Sequence, residues 1–193
     1  IELGTFQGRT SVGLASAIAH QNKEFSDDQA FRGNKKLWLC DSFEGLPDSS
    51  GTVDESTIMV QSGVWAKGNL LGLNAKDLQI LIQKYLSKND FFILEGWFRD
   101  SLPLIPKGTK FALVHLDADL YSSASEALSI LFSQKMISEG CIIFFDDWNA
   151  NSASPSKGER RAWTEIVKKF GVIYSDAGSY RVASHKFIIH SYN

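Results

Sequence analysis

Short β-branched and aromatic runs alternate along this chain with segments in which apolar residues recur every three or four positions. That alternation is the pattern of a parallel sheet whose strands are joined by crossover helices. A first strand ends at Leu3, followed by a glycine-containing turn and a helix over 10–20. A second strand covers 37–40. An amphipathic helix over 75–87 carries Leu78, Leu81, Ile82 and Tyr85 on one face, and a third strand covers 91–94. A fourth strand, 111–116, leads into a helix over 122–134 that turns Leu128, Leu131 and Phe132 inward. Residues 141–145 form a continuous apolar run, as expected of a fifth strand buried on both faces. After a helix over 158–170, two strands at 172–174 and 183–190 leave no room for a helix between them. They predict an antiparallel hairpin at one edge of a seven-stranded, mostly parallel, doubly wound α/β sheet of Rossmann-like type. Residues 48–69 and 150–158, rich in small and polar residues, read as loops able to cover a site.

The length, 193 residues, fits one domain over 1–193 with a real core. A net charge of −2 with scattered basic residues gives no basis for a nucleic-acid or membrane partner. Cys40 and Cys141 both sit in apolar strands and read as buried free thiols, which suits a cytoplasmic location. No apolar stretch reaches transmembrane length. The opening Ile-Glu-Leu-Gly reads as a strand already under way, so an N-terminal segment is expected before Ile1.

A doubly wound sheet binds its ligands at the carboxyl ends of its strands. The first strand ends in Glu2-Leu3-Gly4-Thr5-Phe6-Gln7-Gly8. Its Gly-x-x-x-Gly spacing departs from the Gly-x-Gly-x-x-Gly of dinucleotide folds. A sulfonium cofactor has no phosphate and needs only close backbone approach and a nearby carboxylate. Glu2, Gly4, Thr5 and Gly8, with Thr10 at the start of the helix, are the candidate contacts; a plain tight turn is the alternative. Asp41 and Ser42 end the second strand, where an acid can accept hydrogen bonds from ribose hydroxyls or simply cap a helix. Gly96 would let a flat ring lie against the backbone, and Trp97 could wall it.

The fourth strand ends in Leu116-Asp117-Ala118-Asp119 and the fifth in Phe145-Asp146-Asp147-Trp148. Adjacent carboxylates after a hydrophobic strand are costly unless solvated, paired or bound to a cation. Neighbouring strands would bring Asp117, Asp146 and Asp147 together as three hard oxygen donors suited to Mg²⁺ or Mn²⁺. The competing reading is helix caps plus ion pairs with Arg160 or Arg161, and Asp119 suits a cap for the helix beginning near Tyr121. His115 reads as a core residue.

Five of these segments, in order and at fitting intervals, resemble the macrocin and mycinamicin (TylF/MycF-type) O-methyltransferases. They are Glu2 to Gly8, Asp41-Ser42-Phe43-Glu44-Gly45-Leu46-Pro47, Gly96-Trp97-Phe98 with Leu102-Pro103, Leu116 to Tyr121, and Asp146-Asp147. The resemblance implies a class I methyltransferase fold, S-adenosylmethionine as methyl donor and Mg²⁺ held by Asp117, Asp146 and Asp147. It also implies methylation of a hydroxyl on a sugar, glycan or natural product. Asp117, both ligand and cofactor neighbour, is the candidate general base. The stretch 148–161 looks more like that of glycan-modifying relatives. A catechol-like acceptor, an NAD-dependent oxidoreductase and a non-catalytic binding protein on the same fold stay open as alternatives. Trp65, Trp97, Trp148 and Trp163 are available to a homo-oligomer interface.

Overall fold

The chain is described by a computed structural model, which covers residues 1–25 and 35–193. Seven strands form one sheet in the order β3-β2-β1-β4-β5-β7-β6. They are β1 (Glu2–Leu3), β2 (Leu37–Asp41), β3 (Phe91–Glu95), β4 (Phe111–Leu116), β5 (Ile137–Phe145), β6 (Ile173–Ser179) and β7 (His185–Ser191). The first five pair in parallel, while β7 runs antiparallel to both β5 and β6. The expected edge hairpin is therefore present, with β7 inserted between β5 and β6.

Among the described residues, six α-helices connect the strands: α1 (Arg9–Glu24), α2 (Ile58–Gln61), α3 (Ala75–Ile82), α4 (Phe98–Ser101), α5 (Tyr121–Ser133) and α6 (Gly158–Phe170). Period-two alternation sends β2 side chains to two cores. Leu37 and Leu39 meet Ala15 of α1 and Leu78 and Ile82 of α3. Trp38 and Cys40 join the larger core, where Leu128, Leu131 and Phe132 of α5 and Trp163 and Ile166 of α6 pack on Cys141, Ile143 and Phe145 of β5. Burial of these aliphatic and aromatic side chains, about 1.5–3 kcal/mol each, fixes which helix lies on which face.

Three elements differ from the pattern, the first being β6, which runs on to Ser179 where an end at 174 is expected. Helix α3 stops at Ile82 and continues as tight turns, with Tyr85 N–H donating to the Ile82 carbonyl at 2.9 Å. Leu86, four residues after Ile82, is buried in the place expected of Tyr85, which is exposed. Strand β5 begins at Ile137, not at Cys141. A register shift against β4 and Gly140 at φ 76° let it run through Ser138 and Glu139, polar residues that hide it from a hydrophobic reading.

Candidate active site

The carboxyl ends of β1–β4 open into a cleft of ≈ 320 Å³. Its floor depends on Gly4, whose φ is 90° and whose nitrogen donates to the Cys40 carbonyl at 2.9 Å. A Cβ at Gly4 would lie 1.9 Å from the Asp117 carbonyl oxygen, so only glycine lets these two strand ends close together. Gly96, Trp97 and Phe98 wall another side, and Asp41, Ser42 and Asp117 also line the cleft. Glu2, Thr5, Gly8 and Thr10 are not among its lining residues.

Asp41 ties two turns together. Its Oδ2 accepts from Thr5 N at 2.7 Å, Thr5 Oγ1 at 3.0 Å and Phe6 N at 3.4 Å, and its Oδ1 accepts from Phe43 N at 2.8 Å. Ser42 Oγ closes its own turn by donating to the Gly45 carbonyl at 3.0 Å. Thr5 thus serves the cleft through Asp41. Gly8, at φ 73°, ends the turn and starts α1, where a Cβ would press on Leu78 and Leu81. Thr10 lies in the first turn of α1. Glu2 lies behind the floor, 1% exposed, accepting from Ser11 Oγ at 2.5 Å. Burial raises its pKa to about 8, against the opposing hydrogen bond from Ser11.

At the ends of β4 and β5, Asp117, Asp146 and Asp147 each offer a carboxylate oxygen, and these three atoms lie within 4.8 Å of one another. Burial first, then Asp146 and Asp147, raise the Asp117 pKa to about 8; burial and Asp146 raise that of Asp147 to about 6. Asp119, at φ 57° in the tight turn after β4, neighbours Asp147, and burial first, then that charge, raises its pKa. Hard oxygen donors this close, in surroundings that penalise their charge, fit a divalent cation bound by Asp117, Asp146 and Asp147.

The caps and arginine ion pairs of the competing reading lie elsewhere. Helix α5 is capped by Asp54, not by Asp119: Asp54 accepts from Tyr121 N at 2.9 Å and Ser122 N at 3.0 Å. Arg160 binds the Trp148 carbonyl at 2.8 Å and the Asn149 side chain, while Arg161 pairs with Glu165 at 2.9 Å. Asp146 instead pairs with Arg181, at 3.0 Å. His115 is buried, 3.8 Å from Glu2 and 3.9 Å from Asp146, and burial lowers its pKa.

Sequence reasoning missed two acids. Asp54, 1% exposed, pins the 48–69 segment to the start of α5. Glu159, fully buried at the start of α6, accepts from Asp147 N at 3.0 Å, and its other oxygen has no hydrogen-bond partner. Each stands alone in a polar stretch, and its only signal was its place in a segment singled out for other reasons.

A sheet of this order, with a single reversed strand lying between β5 and the edge strand β6, and strand ends that shape a cleft, is the class I methyltransferase fold. The chain matches the family Macrocin-O-methyltransferase (TylF) over residues 1–180 and belongs to it. It is 28% identical over 150 residues to the 8-demethyl-8-(2,3-dimethoxy-alpha-L-rhamnosyl)-tetracenomycin-C 4'-O-methyltransferase of Streptomyces olivaceus, across 77% of this chain and 52% of that protein. It is 27% identical over 152 residues to the demethyldecarbamoylnovobiocin O-methyltransferase of Streptomyces niveus, again 77% and 52%. The chain thus spans about half the length of the curated relatives it matches. Among solved structures, the O-methyltransferase NovP superposes with a TM-score of 0.73 at 20% identity, over 98% of this chain and 71% of that one. The calicheamicin methyltransferase CalS11 gives 0.68 at 18%, over 97% and 70%. At those identities the likeness is one of fold. No helix among the described residues is long and apolar enough to cross a membrane.

Proposed function

We propose that this chain carries the catalytic site of an S-adenosylmethionine-dependent O-methyltransferase. Its acceptor is a hydroxyl on a sugar, glycan or natural product, and Mg²⁺ or Mn²⁺ is held by Asp117, Asp146 and Asp147. The observation that carries this reading is the double position of Asp117, which lines the cleft and also belongs to the three-carboxylate cluster. Family membership supports the chemistry, since the two curated relatives are named as O-methyltransferases, one of them of a rhamnosyl-tetracenomycin. A cytoplasmic location is the companion reading of two cysteines that are both free and buried.

S-adenosylmethionine supplies an electrophilic methyl group on its sulfonium sulfur, and a divalent cation supplies Lewis acidity that lowers the pKa of an acceptor hydroxyl. The protein's share is alignment and exclusion of water. Gly4 lets the ends of β1 and β4 close together under the cleft, Gly96 allows close approach of a ligand to backbone, Trp97 offers a flat wall, and Asp41 holds the Gly4–Phe6 turn in shape. Asp117, which lines the cleft beside the acidic cluster, would hold the cation and would be the carboxylate placed to take the proton of the acceptor hydroxyl.

The test is calorimetric titration with S-adenosylhomocysteine in Mg²⁺ and in EDTA, coupled to methyl-transfer assays. Binding is expected in both buffers, with transfer abolished by EDTA and by Asp146→Ala or Asp147→Ala while S-adenosylhomocysteine binding persists. Transfer retained by both variants would remove the cation from the mechanism. Binding of NAD in place of S-adenosylhomocysteine would return the oxidoreductase reading.

A further inference from the structure

Arg181 has no place in that mechanism, yet it contacts one of the proposed ligands. Its Nη1 lies 3.0 Å from Oδ1 and 3.4 Å from Oδ2 of Asp146, spanning both carboxylate oxygens. Around it stand Asp117, Asp119 and Asp147, with the buried Glu159 behind Asp147. Among the described residues, Arg181 is the arginine or lysine whose side chain forms an ion pair within this group of acids. We infer that Arg181 is an exchangeable counter-ion, occupying Asp146 while the acidic site is metal-free and competing with a divalent cation for it. The inference rests on the reading that Asp117, Asp146 and Asp147 hold such a cation.

Two further features of the β6–β7 turn fit an exchangeable partner better than a fixed one. The Arg181 side chain is 66% exposed, and the next residue, Val182, is 97% exposed. Leaving Asp146 would return the guanidinium to water with little desolvation to reverse. The same turn also supplies neutral donors that can hold Asp146 once Arg181 departs. Tyr180 Oη lies 3.3 Å and Ser184 Oγ 3.2 Å from Oδ1, and Ser184 Oγ donates to the Asp146 carbonyl at 2.7 Å. Orientation and neutralisation are thus assigned to different side chains. A positive charge at this distance from a bound cation also repels it, so Arg181 would keep affinity low enough for exchange.

The experiment measures Mn²⁺ affinity, read from free Mn²⁺ by electron paramagnetic resonance at fixed ionic strength, for the wild type and for Arg181→Gln, Arg181→Lys and Asp146→Ala. Arg181→Gln keeps hydrogen-bonding capacity and removes the charge, so it should bind Mn²⁺ about tenfold more tightly, the scale of one unit charge several ångströms away in a half-solvated site. Arg181→Lys should stay within about threefold of wild type. A merely structural arginine would give the opposite sign, with affinity lost in Arg181→Gln. Unchanged or weaker binding in Arg181→Gln, with wild-type binding abolished by Asp146→Ala, overturns the counter-ion role and leaves the cation site standing. Absence of Mn²⁺ binding in wild type and Arg181→Gln alike, or binding that survives Asp146→Ala, overturns both.

Discussion

Gly4 shows how much one residue can decide at the end of a strand. Its φ of 90° already costs an L-residue about 1–2 kcal/mol, and an added Cβ would also overlap the Asp117 carbonyl at 1.9 Å. Gly4→Ala is therefore expected to destabilise the fold by about 3 kcal/mol or more, a fall of roughly 10 °C in a chain of this size. Gly13, exposed in the middle of α1 with open space around it, is the control. Gly13→Ala should gain about 0.5–1 kcal/mol, and thermal melts of the two variants read opposite signs. The acidic pairs at 117–119 and 146–147 could be read from sequence because carboxylates after an apolar strand demand a reason. Asp41 was legible as important, yet four donors from its own and a neighbouring turn engage its two oxygens, and no spacing rule announces that. Glu159 was illegible for a similar reason: its partner is a backbone amide twelve positions away.

Among the elements, the 48–69 segment departs most from its sequence. A run of small and polar residues reads as a loose loop, but its ends and middle are fixed by separate tertiary contacts. Gly45, at φ 78°, brings the ends together, with Leu46 N donating to the Asn69 carbonyl at 2.9 Å. Trp65 is buried against Leu46 and Leu120, and the Met59 N–H donates to Asn151 Oδ1 at 3.3 Å. Asp54 then supplies the cap that α5 lacks from its own flanking residue, Leu120. Removing it in Asp54→Ala leaves two amides at the positive end of α5 without their acceptor, a loss of about 1–2 kcal/mol. The stability change should appear in urea titrations. Limited proteolysis should cut within 48–69 several times faster in the variant, whereas a freely mobile loop would be cut equally fast in both proteins. Strands and long helices were legible because periodicity repeats along them. This segment was not, since its anchors are isolated contacts with no repeat along the chain, those of Asp54 and Met59 reaching distant residues.

For the molecule as a whole, the sheet order places β1 inside the sheet between β2 and β4, and with it a carboxyl group that its surroundings do not favour as an anion. The strand's brevity and its alternation send Leu3 to the large core and Glu2 to the other face, where α1 covers it through Ser11. Sequence alone offered Glu2 as a charge partner for a cofactor; its burial and a pKa of about 8 make it a proton carrier of the folded state at neutral pH. The sign of the resulting pH dependence follows from linkage. Below the ordinary value of 4.5, Glu2 is protonated in both folded and unfolded chains and adds no slope. Between 4.5 and about 8 the unfolded chain has released the proton and the folded one keeps it, so stability falls as pH rises. Above about 8 both forms are ionised, the full penalty is present and the slope disappears. Glu2→Gln keeps an acceptor for Ser11 and cannot ionise, so subtracting its urea-unfolding free energies from those of wild type isolates this one group from the other acids. From pH 6 to pH 8 the variant should gain roughly 2–3 kcal/mol over wild type, at 1.36 kcal/mol per pKa unit. A difference that stays flat across that interval would mean that Glu2 is already ionised in the folded protein, and that a cation or a relaxed cavity compensates its charge.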